Sequence, residues 1–432
     1  MTGLALLGLI MLFVMIAAIF IGFPISFTLL FLAFTFGYAG LGEVVVSLAY
    51  FQTIGLMKEE LLAAVPLFIF MGFLTEQAGL MERLFSALRM LLAPVRGALF
   101  LVVILTATIF AMATGIVGAA VTVLGIMAAP IMIKTGYDAK LAAGAITAGG
   151  TLGILIPPSV MLIVMGPVLG VSVADLYAAA FGPGFMLAAF YVTYLMGRAI
   201  LNPKLGPPVP MEDRVHDIGL IIKEVLIGVL PLAGLIAATL GTILIGAATP
   251  TEAAGIGALG AMILAIIYRR ATWAGLKRAC LSTMATSSMV LFLAVTSNIF
   301  GAVFARMGTA NWITEVMLAL PLGPVVMLFV VVVLIFLLGW PFEWPAIILV
   351  FLPIFYPVME ALKPALAVSL NIPVDMVMVW FGALVAVVLQ TAFLSPPVAM
   401  SAYYLRQVVK EWSLATIYKG MFEFMMIQCV AI

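Results

Sequence analysis

Residues 151–160 read TLGILIPPSV, within a stretch from 141 to 174 that has no charged residue. Two adjacent prolines, Pro157 and Pro158, remove two backbone donors and stop a helix. Residues 390–399, QTAFLSPPVA, repeat the pattern far downstream with Pro396 and Pro397. Breaking a helix inside lipid is expensive, because each unsatisfied backbone group costs several kcal/mol there. Two such breaks therefore decide how the rest of the chain is threaded.

Of 432 residues, 66% are hydrophobic and 9% are charged. A soluble domain has about 45–50% apolar and about 25% charged residues. This chain cannot hide so much apolar surface in a water-soluble core and reads as a multi-pass membrane protein. Asp, Glu, Lys and Arg are absent from 1–42, 97–133, 141–174, 225–251, 279–305, 316–342 and 376–405. A spanning helix takes about 20 apolar residues, so several gaps are too long for one span and too short for two. The net charge of +1 implies neither nucleic-acid binding nor an acidic partner. Cys280 and Cys429 read as buried, inert thiols, with no disulfide framework or metal motif around them. The first apolar segment runs into the second without a cleavage-type site, so it reads as a membrane helix rather than a secretory signal.

Lysine and arginine mark the cytoplasmic side. They cluster at 83–96, 134–140, 198–223, 269–278 and 406–410. With the N-terminus outside, helices at about 4–20, 22–40 and 60–80 bring the chain to the cytoplasm at Arg83. The next cluster begins at Lys134, so 97–133 must enter and leave on one side. That length fits a re-entrant hairpin with its tip in MATGIVG, 112–118. A broken helix at about 141–170 then crosses outward, and a helix at about 176–197 returns. The polar stretch within 202–222 is a cytoplasmic linker, and its His216 reads as a solvated loop residue. After it, helices at about 225–245, 250–268 and 281–305 precede a second hairpin at about 323–357. A second broken helix at about 376–405 and a last helix at about 412–430 complete the chain. The expected fold is all-α and polytopic: an inverted repeat of 1–201 and 223–432, with discontinuous segments at corresponding positions.

The breaks have a chemical consequence. A proline frees the carbonyl four residues back: Gly153 and Ile154 in the first half, Ala392 and Phe393 in the second. Carbonyl and hydroxyl oxygens suit a hard cation, whereas half-helix N-termini suit an anion. The expected sodium ligands are Gly150, Thr151 and Gly153, and Gly339, Glu343, Thr391 and Ala392. An anionic substrate lies between them, against Thr114, Gly115, Pro157 and Ser159 on one side and Gln390, Ser395 and Pro396 on the other. Glu343 and Glu252 are the two carboxylates in apolar surroundings. An intramembrane acid marks a functional site by default, although Glu252 also fits as a helix cap after Thr249.

An enzyme needs a cluster of His, Cys, Asp or Glu at depth, and the single His216 and sparse carboxylates do not supply one. A channel needs rings of ligands around a continuous pore, which two inverted halves do not suggest. A proton-coupled carrier is closer, but proton relays use acid or histidine chains that are scarce here.

Three stretches carry a resemblance: PIMIKTGYDAKLAAGAITAGGTLGILIPPS (130–159), ATPTEAAGIGAL (248–259) and FLSPPVAM (393–400). Together they resemble the large membrane subunit of the tripartite periplasmic (TRAP) transporters, over essentially the whole chain. The resemblance implies membership of the ion transporter superfamily, with a scaffold and a mobile transport domain working as an elevator. It implies uptake of a small organic anion driven by sodium, with no covalent cofactor, across the inner membrane. It also implies two partners: a soluble periplasmic binding protein and a four-helix membrane subunit, expected here as a separate chain. Family members often have serines at the first tip, where this chain reads ATGIVGAAV, and an aspartate after the second-tip glycine, where Glu343 follows Gly339 by four positions. These departures point to organic acids other than sialic acid.

Overall fold

The computed structural model describes residues 2–208, 214, 217–396 and 399–432, and of Thr114 only the backbone. His216 and Pro397 lie outside the described residues. Every regular element among them is helical. Among the described residues, nine helices are long and apolar enough to cross a membrane, or ten when the bent pair Ala139–Leu155 and Val160–Leu169 is one span. The chain is an all-α polytopic membrane protein.

Apart from Val44–Met57, which has no counterpart in the second half, one order of elements occurs twice among the described residues. The first series runs Gly3–Ile21, Ile25–Leu41, Ala64–Gln77, the short helix Leu80–Leu92, then a hairpin of Ala98–Thr114 and Val117–Lys134. The broken helix and Val173–Leu201 follow. The second series runs Ile218–Leu244, Pro250–Ile267, Trp273–Arg306 and the short helix Thr309–Leu318. A hairpin of Pro324–Leu338 and Trp344–Leu370 follows, then a second broken helix, Val377–Gln390 and Met400–Val408, and finally Leu414–Ala431.

Several details differ from the sequence reading. Val44–Met57, Leu80–Leu92 and Thr309–Leu318 are separate helices. The stretch that reads as a basic cluster from Arg83 is amphipathic: Leu80, Leu84, Phe85 and Leu88 are buried, while Arg83 lies 4.6 Å from the centre of the Tyr268 ring. The second hairpin does not end at 357, because its second arm continues to Leu370 with Pro357 and Pro364 inside it. Membrane helices absorb such prolines when neighbours satisfy the freed groups. Cys280 is exposed and Cys429 half-buried, which corrects the expectation of two buried thiols. Apolar surroundings in this chain include the lipid-facing side. Glu252 does cap: with Thr249 it forms a capping box at the start of Pro250–Ile267.

The broken helices lie at the centre. Every residue from Leu141 to Leu155 is buried, as is nearly all of Val377–Gln390. Carbonyls freed there face protein rather than lipid. The last helix packs along the first broken helix through glycines. A β-carbon on Gly144 would stand 2.5 Å from the Phe424 ring, and one on Gly420 would stand 2.1 Å from the Lys140 carbonyl oxygen.

Candidate functional site

Gly115 ends the first hairpin arm at φ 60°, with its N–H on the Ala111 carbonyl. Glycine adopts this left-handed turn without the steric cost of a β-carbon. A β-carbon here would stand 3.3 Å from the Pro158 carbonyl oxygen and 3.7 Å from that of Gly153. The first tip therefore meets the first break, and two carbonyl oxygens face it. The other carbonyl expected to be freed, that of Ile154, accepts a hydrogen bond from the Ser159 hydroxyl. Pro157 and Ser159 are buried within the break.

The second tip meets the second break in the same way. A β-carbon on Gly339 would stand 3.2 Å from the Ala392 β-carbon. The Ser395 hydroxyl donates to the Thr391 carbonyl at 2.6 Å. The Thr391 hydroxyl donates to the Val388 carbonyl at 2.7 Å. Glu343 occupies the N-cap position of the second arm. It borders a space of about 10 Å³ with Ala392, Phe393 and Met400, about the room that one water needs. Pro396 is exposed.

Other expected residues stand apart from the tips. The Thr151 hydroxyl donates to the Ala148 carbonyl at 2.8 Å and meets the Tyr191 hydroxyl, which accepts from Gln428 Nε2 at 2.9 Å. It thus faces Val173–Leu201 and the last helix. Gly150 serves close packing, since a β-carbon on it would stand 2.3 Å from Val121 Cγ2. Gln390 is fully buried, and neither its amide oxygen nor its nitrogen has a hydrogen-bond partner among the described residues. The side chain of Thr114 lies outside the described residues.

Between the two tips lies a cavity of about 140 Å³. Val117, Val160, Trp344 and Met400 each begin a helix and each line it. Helix N-termini carry unsatisfied N–H groups and a positive dipole end. Glu343 is the one charged side chain among the described residues lining it. A larger cavity of about 540 Å³ shares Met289, Val290, Glu343 and Pro345 and reaches Pro24 and Phe27. Sequence reasoning missed Trp344, Met289 and Tyr404. Two had a local signal: Trp344 adjoins the intramembrane Glu343, and Tyr404 follows the second break. Tyr404 also lies against the first tip, because a β-carbon on Gly118 would stand 3.0 Å from its Cζ. The arrangement can hold an anion on N–H groups and a cation on oxygens a short distance away.

Comparison with known proteins places the chain in a family. The chain is 28% identical over 425 residues to the C4-dicarboxylate TRAP transporter large permease protein DctM of Rhodobacter capsulatus, covering 95% of this chain and 91% of that protein. It is 28% identical to the sialic acid TRAP transporter large permease protein SiaM of Vibrio cholerae, covering 90% and 87%. The sialic acid TRAP transporter permease protein SiaT of Haemophilus influenzae is longer: 96% of this chain matches 64% of it, at 26% identity. Among solved structures, the Alcanivorax borkumensis YdaH transporter, described as having an unusual topology, matches with a TM-score of 0.58 at 18% identity, covering 90% of this chain and 86% of that one. This last likeness is one of fold. The profile of the tripartite ATP-independent periplasmic transporter, DctM component, matches residues 9–432, and the chain belongs to that family.

Proposed function

We propose that the chain is the large membrane subunit of a three-part uptake system for a small organic anion, driven by sodium and working as an elevator. The observation that carries this reading is the meeting of both hairpin tips with both broken helices at one cavity. In it, the anion's carboxylate rests on helix N-termini. One sodium ion sits on the Gly153 and Pro158 carbonyl oxygens beside Gly115. A second sits on Glu343 in the small space at Ala392, within reach of Thr391 and Gly339. A cation at Glu343 removes that carboxylate's repulsion of the anion, so each ligand strengthens the other.

The hairpins, broken helices and last helix form the moving body in this reading. Trp273–Arg306 belongs to the scaffold. Two cavities support the choice. One of about 470 Å³ lies between this helix and the second hairpin near Ser297 and Pro353. One of about 640 Å³ lies between it and the first hairpin near Arg278 and Val123. They serve as the two access routes. The halves are 1–201 and 223–432, inverted across the inner membrane with the N-terminus outside.

The partners are a periplasmic binding protein and a small four-helix membrane subunit. The relatives SiaT and the isethionate TRAP transporter permease protein DctMQ support the second, because this chain spans 64% and 51% of their lengths. The test is uptake in vesicles with the three components reconstituted together. Uptake requires all three and an inward sodium gradient. Uptake by this chain alone, indifferent to sodium, would refute the reading. One observation favours a second reading, proton coupling: Glu343 at the cavity. Uptake that follows a proton gradient without sodium would select it.

A further inference from the structure

We infer that the cargo is a small monocarboxylate with an apolar body, free of hydroxyl groups and of a second charge; this rests on the proposed placing of the cargo between the two tips. The lining side chains carry the argument. Ile69, Ile116, Ile154, Met289, Phe393 and Met400 present hydrocarbon or thioether to the cavity. Beyond Glu343, the polar side-chain groups there among the described residues are those of Thr286, Tyr404 and the Trp344 indole. No Lys, Arg, His, Asn or Gln side chain lines it among the described residues.

Such a wall discriminates by what it cannot satisfy. A hydroxylated body gives up its bonds to water on entry and finds few replacements. A second carboxylate finds no Lys or Arg side chain to pair with, because the first carboxylate occupies the helix N-termini and the proposed sodium ion is neutralised by Glu343. An apolar body loses nothing and gains contact. Trp344, Phe393 and Tyr404 add aromatic surface on which a planar ring can stack. A volume of about 140 Å³ also falls below the roughly 300–1,000 Å³ of sites for drug-sized ligands, so the body is small. The adjoining larger cavity continues the same wall with Phe27, Phe292 and Leu293. The cargo thus differs in kind from the C4-dicarboxylates and sialic acid named for two relatives.

The test is equilibrium binding to the full-length chain in lipid nanodiscs with sodium present, using benzoate, succinate and gluconate. Benzoate binds at least about tenfold more tightly than either of the others. Met289→Gln, at an exposed position on the long helix, adds a polar partner and narrows the gap for gluconate. Succinate or gluconate binding as tightly as benzoate, or no binding of benzoate, overturns the inference. The proposed function fails separately. Sodium-driven uptake of succinate by the three-part system would sink the cargo class and leave the coupling intact, whereas a benzoate preference with sodium-independent uptake would do the reverse.

Discussion

Gly115 faces the carbonyl oxygen of Pro158 so closely that a β-carbon on it would stand 3.3 Å away. Gly115→Ala therefore does two things. It forces a left-handed residue to carry a β-carbon, at about 1–2 kcal/mol. It also pushes a methyl group at the oxygens proposed to bind sodium. Gly136 separates the two effects, since its φ is 77° and nothing lies within 4 Å of its β-carbon position. Both alanine variants lose comparable stability in thermal unfolding. Only Gly115→Ala raises the sodium concentration for half-maximal uptake, by severalfold. An equal effect of both on sodium would remove the oxygens from the ion's site.

The two break serines make an unequal pair. Ser159 donates to the Ile154 carbonyl, the group that Pro158 strips of its helix partner. Ser159→Ala leaves that buried oxygen unpaired, at about 1–3 kcal/mol. Ser395 donates to the Thr391 carbonyl, which also receives the backbone N–H groups of Leu394 at 3.0 Å and Ser395 at 2.9 Å. Ser395→Ala costs less than about 1 kcal/mol. Unfolding in denaturant measures both, and equal losses would contradict the assignment.

Thr151 and Thr391 occupy matching places beside the two breaks, yet their surroundings differ. The Thr151 hydroxyl is shared between the Ala148 carbonyl and Tyr191. The Thr391 hydroxyl donates to the Val388 carbonyl and has no second side-chain partner among the described residues, so its lone pairs are available to an ion. Thr151→Val accordingly costs about 1 kcal/mol of stability through Tyr191 and leaves sodium dependence unchanged. Thr391→Val weakens sodium dependence. Uptake against sodium concentration decides, and the reverse order would move the first ion to Thr151.

The breaks and tips were legible because glycine and paired prolines stand out in apolar sequence. Gly115 and Gly339 mark turns that lipid does not tolerate unsupported, and both fall where the sequence places a hairpin. What stayed hidden depends on distant partners. The Thr151 hydroxyl turns to Tyr191, which Gln428 holds in turn, and both belong to helices remote in the chain. The cavity wall of Ile69, Met289 and Phe393 is chemically the same as lipid-facing surface, so composition cannot separate the two. Leu80–Leu92 was masked by its arginines, which read as a loop marker while its apolar stripe was being buried.

The contact between the last helix and the first broken helix sets a stability test. A β-carbon on Gly420 would stand 2.1 Å from the Lys140 carbonyl oxygen and 3.0 Å from the Gly144 nitrogen. These neighbours are backbone and cannot swing aside, so the two helices must part. Overpacking costs about 1–3 kcal/mol and occasionally more. Gly420→Ala belongs at the upper end, because separating the helices also loosens Phe424 and Gln428, which hold Tyr191 against Thr151. Gly55, within the helix Val44–Met57, has nothing within 4 Å of its β-carbon position. Gly55→Ala gains the helix preference of alanine, about 0.5–1 kcal/mol. Thermal unfolding of the purified chain in detergent should place Gly420→Ala below the parent by about 3 kcal/mol, with Gly55→Ala at or above it. Two variants of equal stability would mean that the helices are not packed at Gly420.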